Sequence, residues 1–257
     1  MSKEFYHPSK EVSERAWVQS MEEYHKMYQR SIDDPDIFWA EQAQEFSWFR
    51  KWNKVREFNY NVEQGNISIK WFLQAKTNIT VNCLDRHLKD RADQIAIIWE
   101  GNEPGEEKKI SYRELHEDVC KFANVLKSRG IKRGDRVSIY MPMVPELAVA
   151  MLACARLGAI HSIVFGGFSA SSLADRIYDS MCSIVITTDG SFRGVKPVPL
   201  KSAADEAIKL AERLGAKVST CIVVKRVGDR IPTKLKPGRD FWWHEEMASA
   251  SSDFDPE

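Results

Sequence analysis

One stretch of the sequence combines a strand, a tight turn and the start of a helix, and it constrains the fold more than any other feature. The apolar run Ile160–Phe165 has the length of a strand and stops at Gly166 and Gly167. Ser169 then precedes residues 170–180, in which apolar positions recur at helical spacing. The pattern predicts a β-strand that turns directly into an α-helix.

The same order of strand and helix recurs along most of the chain. The predicted strands are Arg136–Met141, Ile160–Phe165, Ser183–Thr187 and Thr220–Val224, and the predicted helices are Tyr112–Arg129, Glu146–Leu157, Ser169–Ser180 and Lys201–Leu214. A further helical segment is expected at 81–88, followed by strands at 94–99 and 108–111. Alternating strands and helices predict an α/β fold with a mostly parallel sheet and helices on both faces.

The first 80 residues follow a different pattern. Aromatic and apolar residues recur at helical spacing between Val12 and about Trp52, with an interruption at residues 33–36, which predicts two amphipathic helices. Their aromatic stripe is expected to pack onto another domain. Residues 58–80, which include Gly65, are expected to be an irregular connecting segment, and the residues after His244 are expected to be a weak acidic tail.

Composition argues against several classes of protein. Thirty-seven basic residues balance thirty-seven acidic ones, which favours neither a nucleic-acid nor a membrane partner. Five cysteines without a C-x-x-C pair predict no disulfide framework and no zinc site. The polar N-terminus is unlike a signal peptide, and Arg156 and His161 interrupt the most apolar region, so no membrane span is expected. We therefore expect a cytoplasmic protein.

Two glycine-containing corners are candidate ligand sites, because ligands of parallel sheets collect at the carboxyl ends of the strands. Gly166 and Gly167 allow positive φ and close approach of an anion or a flat ring, although a plain turn between strand and helix explains them equally well. Residues 188–196 carry Arg193 and Lys196, which could hold a phosphate monoester between them. The alternative is a solvated surface loop.

The familiar catalytic motifs are absent from the sequence, which contains no G-x-x-x-x-G-K-[ST], G-x-S-x-G or H-E-x-x-H. His161 lies within an apolar strand, where a hydrogen-bonded core position is expected rather than a general base. Residues 85–87, Asp-Arg-His, are interpreted as packing and surface contacts. No complete active site is visible.

Six stretches together resemble the AMP-forming acetyl-coenzyme A synthetases, which are adenylate-forming ligases. They are Asn82–His87, Ala96–Gly101, Tyr140–Glu146, Ala150–Ala159, His161–Ser169 and Gly238–Trp243, and their order and spacing agree over about residues 17–244. The resemblance implies a helical N-terminal extension at residues 1–80, followed at 81–257 by the N-terminal part of the large AMP-binding domain.

The activity implied by this resemblance is acetate–CoA ligation. Acetate and Mg-ATP give acetyl-adenylate and pyrophosphate, and coenzyme A then displaces AMP. The family's phosphate loop, acyl pocket, ATP and Mg ligands and mobile C-terminal domain are expected beyond Glu257, so no catalytic residue or metal ligand is assigned here and the chain alone is expected to be inactive. A propionate ligase of the same family and a non-catalytic CoA-binding or assembly module remain alternatives.

The residues to which the resemblance gives a role all belong to the two glycine-containing corners. By position, the CoA adenine would contact Phe165, Gly166 and Gly167, and the 3′-phosphate would contact Arg193, Gly194, Val195 and Lys196. Lys196 often corresponds to an arginine in relatives, so the charge is kept while the planar fork is lost.

Overall fold

A computed structural model describes residues 6–257 of the chain. These residues form two compact units, with the boundary between Thr77 and Asn78. Among the described residues, none of the helices has both the length and the apolar character needed to cross a bilayer.

The first unit consists of helices followed by a β-hairpin. Its elements are α1 (Lys10–Arg15), α2 (Met21–Asp33), α3 (Pro35–Gln44), β1 (Lys54–Asn59), a 3₁₀ turn (Val62–Gln64) and β2 (Ser68–Leu73). Ser20 caps α2 by accepting a hydrogen bond from the Glu23 amide at 3.1 Å. Pro35 lies in the first turn of α3, where its missing N–H costs little. The predicted interruption between two helices at residues 33–36 is confirmed.

Three predictions for this unit are wrong. The first of the two helices predicted from Val12 is interrupted at residues 16–20, so that α1 and α2 are separate. The second helix ends at Gln44 and not near Trp52, because the chain turns there and the Trp48 indole donates a hydrogen bond to the Ala43 carbonyl at 2.8 Å. Residues 58–80 are not irregular, since β1 and β2 pair as an antiparallel hairpin. Neither strand contains a buried residue, so the hairpin lacks the alternation of buried and exposed positions that marks a strand in a sequence.

The second unit contains the predicted alternation of strands and helices. Its elements are α4 (Ile79–Cys83), a 3₁₀ turn (Asp85–His87), α5 (Leu88–Arg91), β3 (Ile95–Glu100), β4 (Glu107–Ser111), α6 (Tyr112–Ser128), β5 (Arg136–Met141), α7 (Pro145–Leu157), β6 (Ile160–Phe165), α8 (Ala170–Ser180), β7 (Ile184–Thr188), β8 (Ser191–Arg193), β9 (Lys196–Val198), α9 (Leu200–Arg213), β10 (Thr220–Val224), a 3₁₀ turn (Gly228–Arg230), β11 (Asp240–Trp242) and α10 (Trp243–Ser249).

The centre of this unit is a five-stranded sheet with the order β11-β10-β7-β5-β6, in which every pair is parallel. Its core lies on both faces. In β7, Ile184 and Ile186 pack with apolar residues of α6 and α7, whereas Val185 packs with those of α8 and α9. The predicted parallel sheet covered on both faces is therefore confirmed for the central strands. Within residues 6–257, β6 pairs only with β5, and Ile160 and Ile163 on this edge strand are exposed.

Two further segments differ from the sequence-based expectation. The helix expected over residues 81–88 breaks at Leu84, so that a short helix, a 3₁₀ turn and another short helix replace it. The residues after His244 are not a weak tail, because α10 continues to Ser249. Before them, β11 extends the sheet and Trp243 stacks on Phe122 with a centroid distance of 3.8 Å. Phe254 is buried as well.

The break at Leu84 places Asp85 beside a buried arginine. The Arg156 guanidinium donates hydrogen bonds of 2.8 and 3.0 Å to the Asp85 carboxylate, and its Nε donates to the Phe254 carbonyl at 2.9 Å. His116 lies 3.5 Å from the same carboxylate, and the hydrogen bond to Asp85 raises the pKa of His116 to about 9. Asp85 thus makes the packing contact that was expected of it, within a network that joins α6, α7 and the C-terminal segment.

Candidate functional site

The sheet changes direction at β5. The chain passes from β5 to β6 on one side and then returns to place β7 on the other side of β5, before β10 and β11 follow outward. In doubly wound sheets this reversal opens a crevice at the carboxyl ends of the strands, where ligands bind. The two glycine-containing corners follow β6 and β7, so they flank this position.

A cleft of about 300 Å³ lies at this place. It is lined by residues 99–102 at the end of β3, 142–144 after β5, 165–167 after β6, 191–193 after β7, and Arg226 after β10. The cleft therefore brings together Phe165, Gly166, Gly167 and Arg193 of the predicted site. Gly194, Val195 and Lys196 do not line it and lie in the adjoining loop and strand.

The corner after β6 presents an aromatic ring beside two residues without side chains. Phe165 is exposed and makes an edge contact with Phe168 at a centroid distance of 6.0 Å. The Tyr140 hydroxyl fixes the turn by donating to the Phe168 carbonyl at 2.8 Å. The exposed face of Phe165 is available for stacking with a flat ligand.

The positive φ predicted for the two glycines is wrong, because neither of them has one. Space is the constraint. A Cβ on Gly166 would lie 3.2 Å from the Met141 carbonyl carbon, and one on Gly167 would lie 2.5 Å from Cε1 of Phe165. The glycines thus allow β6 to turn closely past β5 and leave the Phe165 ring in place.

The second corner is a β-hairpin and not an irregular loop. Strands β8 and β9 pair antiparallel, with Arg193 directly opposite Lys196. Gly194 opens the two-residue connection with a φ of +55°, a conformation that glycine adopts at low cost. Sequence patterns missed the hairpin because each of its strands is only three residues long.

The hairpin places two cations side by side. Directly opposed residues of an antiparallel pair have Cβ atoms about 5 Å apart on the same face, and like charges in this position destabilise the pair. Neither the Arg193 nor the Lys196 side chain forms an ion pair within the part of the chain that the structure describes. An anion bound between them would relieve this repulsion.

A buried aspartate fixes the base of the hairpin. The Asp189 carboxylate accepts hydrogen bonds of 2.7 to 2.9 Å from the amides of Gly190, Arg226, Val227 and Gly228. Three of these amides donate to Oδ1 and one donates to Oδ2. Asp189 therefore ties the end of β7 to the loop after β10.

Sequence reasoning gave no role in the site to Trp99 and Arg226, which also line the cleft. The Trp99 side chain reaches the loop after β5, where its indole donates a hydrogen bond to the Met143 carbonyl at 2.8 Å. Arg226 follows β10 and forms an ion pair with Glu106, and its hydrogen bond lowers the pKa of Glu106 to about 2. The rule about carboxyl ends of strands applies to β10 as well, so it could have identified Arg226.

The site contains no recognisable set of catalytic side chains. Across residues 6–257, no three His, Cys, Asp or Glu side chains are grouped so that they could hold a metal ion. His161 is half-buried in β6 and does not line the cleft. The geometry defines a cleft with an exposed aromatic ring on one side and a cationic hairpin on the other.

Comparison with known families identifies the class of protein. The AMP-binding enzyme family matches residues 84–255, and the family described as acetyl-coenzyme A synthetase N-terminus matches residues 24–83. The chain belongs to the AMP-binding enzyme family.

Individual relatives show which members of the family the chain is similar to. Over its whole length the chain is 54% identical to an acetyl-coenzyme A synthetase of Desulfatibacillum aliphaticivorans, and over 91% of its length it is 53% identical to that of Aeromonas salmonicida. It spans 38% and 35% of the length of these two relatives.

A solved structure, an acetoacetyl-CoA synthetase from Streptomyces lividans, superposes with a TM-score of 0.80 at 23% identity. The match covers 96% of this chain and 36% of that protein, and it establishes the fold.

Proposed function

We propose that this chain is the N-terminal part of an AMP-forming acetate–CoA ligase and supplies the site for the nucleotide end of coenzyme A. The observation that carries the proposal is the convergence of Phe165 and Arg193 on one cleft from two separate strands. An adenine can stack on the exposed ring. A phosphate monoester can bind to the cationic pair of the hairpin, with Arg193 as a planar fork and Lys196 as a point charge.

The acyl group is assigned as acetate because the relatives that share about half of the sequence are named acetyl-coenzyme A synthetases. In the proposed reaction, an acetate oxygen attacks the α-phosphate of ATP and pyrophosphate leaves. The CoA thiol then attacks the acetyl carbonyl, loses its proton, and releases AMP. These residues bind and orient the nucleotide of coenzyme A in the second step.

The groups that bind ATP and Mg²⁺ and enclose the acyl group are assigned to the remainder of the large domain and to the C-terminal domain. We therefore expect the 257-residue chain to bind coenzyme A without activating acetate by itself.

Calorimetric titration of the folded chain with coenzyme A and with 3′-dephospho-coenzyme A tests this function. A charge-assisted hydrogen bond to the 3′-phosphate contributes about 1.5 to 3 kcal/mol, so coenzyme A should bind about ten- to a hundredfold more tightly. Arg193→Ala should remove most of this preference. Arg213→Ala, which removes an exposed cation at the end of α9, is the matched control and should leave it unchanged.

The full-length enzyme provides a second, kinetic test. Arg193→Ala should raise the KM for coenzyme A and leave acetate-dependent exchange between ATP and pyrophosphate almost intact, because that exchange requires no coenzyme A. Equal loss of both activities, or equal affinity of the unmodified chain for the two nucleotides, would contradict the proposed site.

A further inference from the structure

Arg226 lies in the cleft, but its guanidinium is already occupied. Both of its terminal nitrogens donate to the Glu106 carboxylate, with Nη2 and Oε2 3.0 Å apart. The Arg226 side chain is 15% exposed and that of Glu106 is 32% exposed. A guanidinium with its fork committed to a carboxylate has little charge left for a phosphate. Its location therefore requires another explanation.

The flat faces of Arg226 lie against the hairpin and the wall of the cleft. Its guanidinium carbon is 5.1 Å from the ring centroid of Phe192 and 5.0 Å from that of Trp99. Phe192 is the residue in β8 that precedes Arg193. Cation–π contact at this distance holds the Phe192 ring and so limits the directions in which the Arg193 side chain can leave the strand.

Glu106 also supports the far end of the hairpin. Its Oε2 accepts a hydrogen bond from the Asn102 amide at 2.8 Å, and the Asn102 side chain donates to the Gly194 carbonyl at 2.6 Å. One carboxylate thus connects to the hairpin by two routes, through Arg226 to Phe192 and through Asn102 to Gly194. The Asp189 carboxylate holds the Arg226 amide in turn.

We propose that Arg226 and Glu106 are positioning residues that fix the hairpin β8–β9, so that Arg193 discriminates a 3′-phosphorylated nucleotide from its dephosphorylated form. The proposal rests on the proposed function for the identity of the ligand. In this role Arg226 stacks and orients, while Arg193 and Lys196 contact the phosphate.

Replacement of Glu106 separates a positioning role of Arg226 from direct binding of the phosphate, because the two roles predict opposite changes in the affinity for coenzyme A. Were Arg226 a phosphate ligand, Glu106→Gln would release its charge and tighten the binding of coenzyme A. If Arg226 and Glu106 instead position the hairpin, loss of the carboxylate loosens the hairpin. We expect the ratio of the affinities for coenzyme A and 3′-dephospho-coenzyme A to fall about three- to tenfold in Glu106→Gln, with the affinity for the dephospho form changing little.

Arg226→Lys provides the complementary test, since lysine keeps the charge but lacks the fork and the flat faces. The ratio should fall as it does in Glu106→Gln. Lys225→Ala is the matched control: Lys225 is the adjacent residue, it is exposed, and its ion pair with Asp229 at 3.8 Å lies on the surface. This control should retain the ratio of the unmodified chain.

Hydrogen exchange of the hairpin amides at residues 191–198 reads out positioning without any ligand. We expect protection to fall in Glu106→Gln, in Arg226→Lys and in Asn102→Ala, which removes only the contact to the Gly194 carbonyl, and to stay unchanged in Lys225→Ala. Protection that is unchanged in all three variants, or tighter binding of coenzyme A by Glu106→Gln, would overturn the proposal. If the unmodified chain does not prefer coenzyme A, the proposed phosphate site fails, and the exchange experiment still decides whether Arg226 and Glu106 hold the hairpin.

Discussion

Neutralising Asp85 should destabilise the second unit strongly, because it would leave a buried charge without a partner. The Arg156 side chain is 3% exposed and its fork is bound to Asp85 at 2.8 and 3.0 Å. Asp85→Asn keeps the shape of the side chain and removes the negative charge. The remaining contacts of Arg156 are the Phe254 carbonyl at 2.9 Å, the Thr80 hydroxyl at 3.2 Å and the His116 ring at 3.4 Å, and none of them carries a negative charge.

Removing one partner of a buried ion pair costs about 3 to 5 kcal/mol, and the 27% exposure of the Asp85 side chain places this case near the lower end. For a unit of this size, a loss of about 3 kcal/mol corresponds to a decrease in melting temperature of roughly 6 to 12 °C. Hydrogen exchange of the buried amides in α7 measures the free energy of unfolding of this unit separately from the first one.

Asp93→Asn is the matched control. Asp93 accepts two hydrogen bonds from Arg113, at 3.2 and 3.3 Å, but its side chain is 88% exposed and that of Arg113 is 56% exposed. Water replaces such a partner, so the control should lose no more than about 1 kcal/mol. Similar losses in Asp85→Asn and Asp93→Asn would refute the argument from burial.

Three further predictions follow from particular contacts. The hydrogen bond to Asp85 raises the pKa of His116 from 6.5 to about 9. The stabilisation that protonated His116 contributes is therefore complete below pH 6.5 and is lost as the pH rises through 9. His116→Gln should remove this decline in plots of unfolding free energy against pH. Gly166→Ala should destabilise the chain by about 1 to 3 kcal/mol in thermal unfolding, because the new methyl group meets the Met141 backbone, which cannot yield. Gly167→Ala displaces only the exposed Phe165 ring, so it should weaken coenzyme A binding with little loss of stability. Lys196→Arg restores a fork opposite Arg193 and should increase the preference for coenzyme A over its dephospho form in calorimetry.

Buried elements were predictable from the sequence because burial leaves a local pattern. The predicted bounds of the buried strands β5 and β10 agree with those in the structure, and the helices α6 to α9 differ by one residue at the ends. The bounds of the edge strand β6 agree as well, because its sequence is a continuous apolar run apart from His161 and Ser162. A strand covered on both faces is a continuous apolar run, and a helix covered on one side has apolar residues at a spacing near 3.6. Both patterns are contained within a single element.

The two exposed hairpins were not predictable in this way. The β1–β2 hairpin has no buried residue, and the β8–β9 hairpin has strands of three residues. Their stability depends on pairing and on contacts with distant side chains, such as the hydrogen bond from Asn102 to the Gly194 carbonyl. The two cations at the tip were visible in the sequence, but their side-by-side placement was not.

The sequence by itself therefore determined the class of fold, the positions of the buried strands and helices, and the two glycine-containing corners. Only the tertiary structure decided that β6 and β7 lie on opposite sides of β5, which opens the cleft between the corners. It also decided that Glu106 meets Arg226, a residue 120 positions away. The physical reason is that secondary structure follows from local periodicity, whereas the order of strands and the partner of a charged side chain depend on how the whole chain packs.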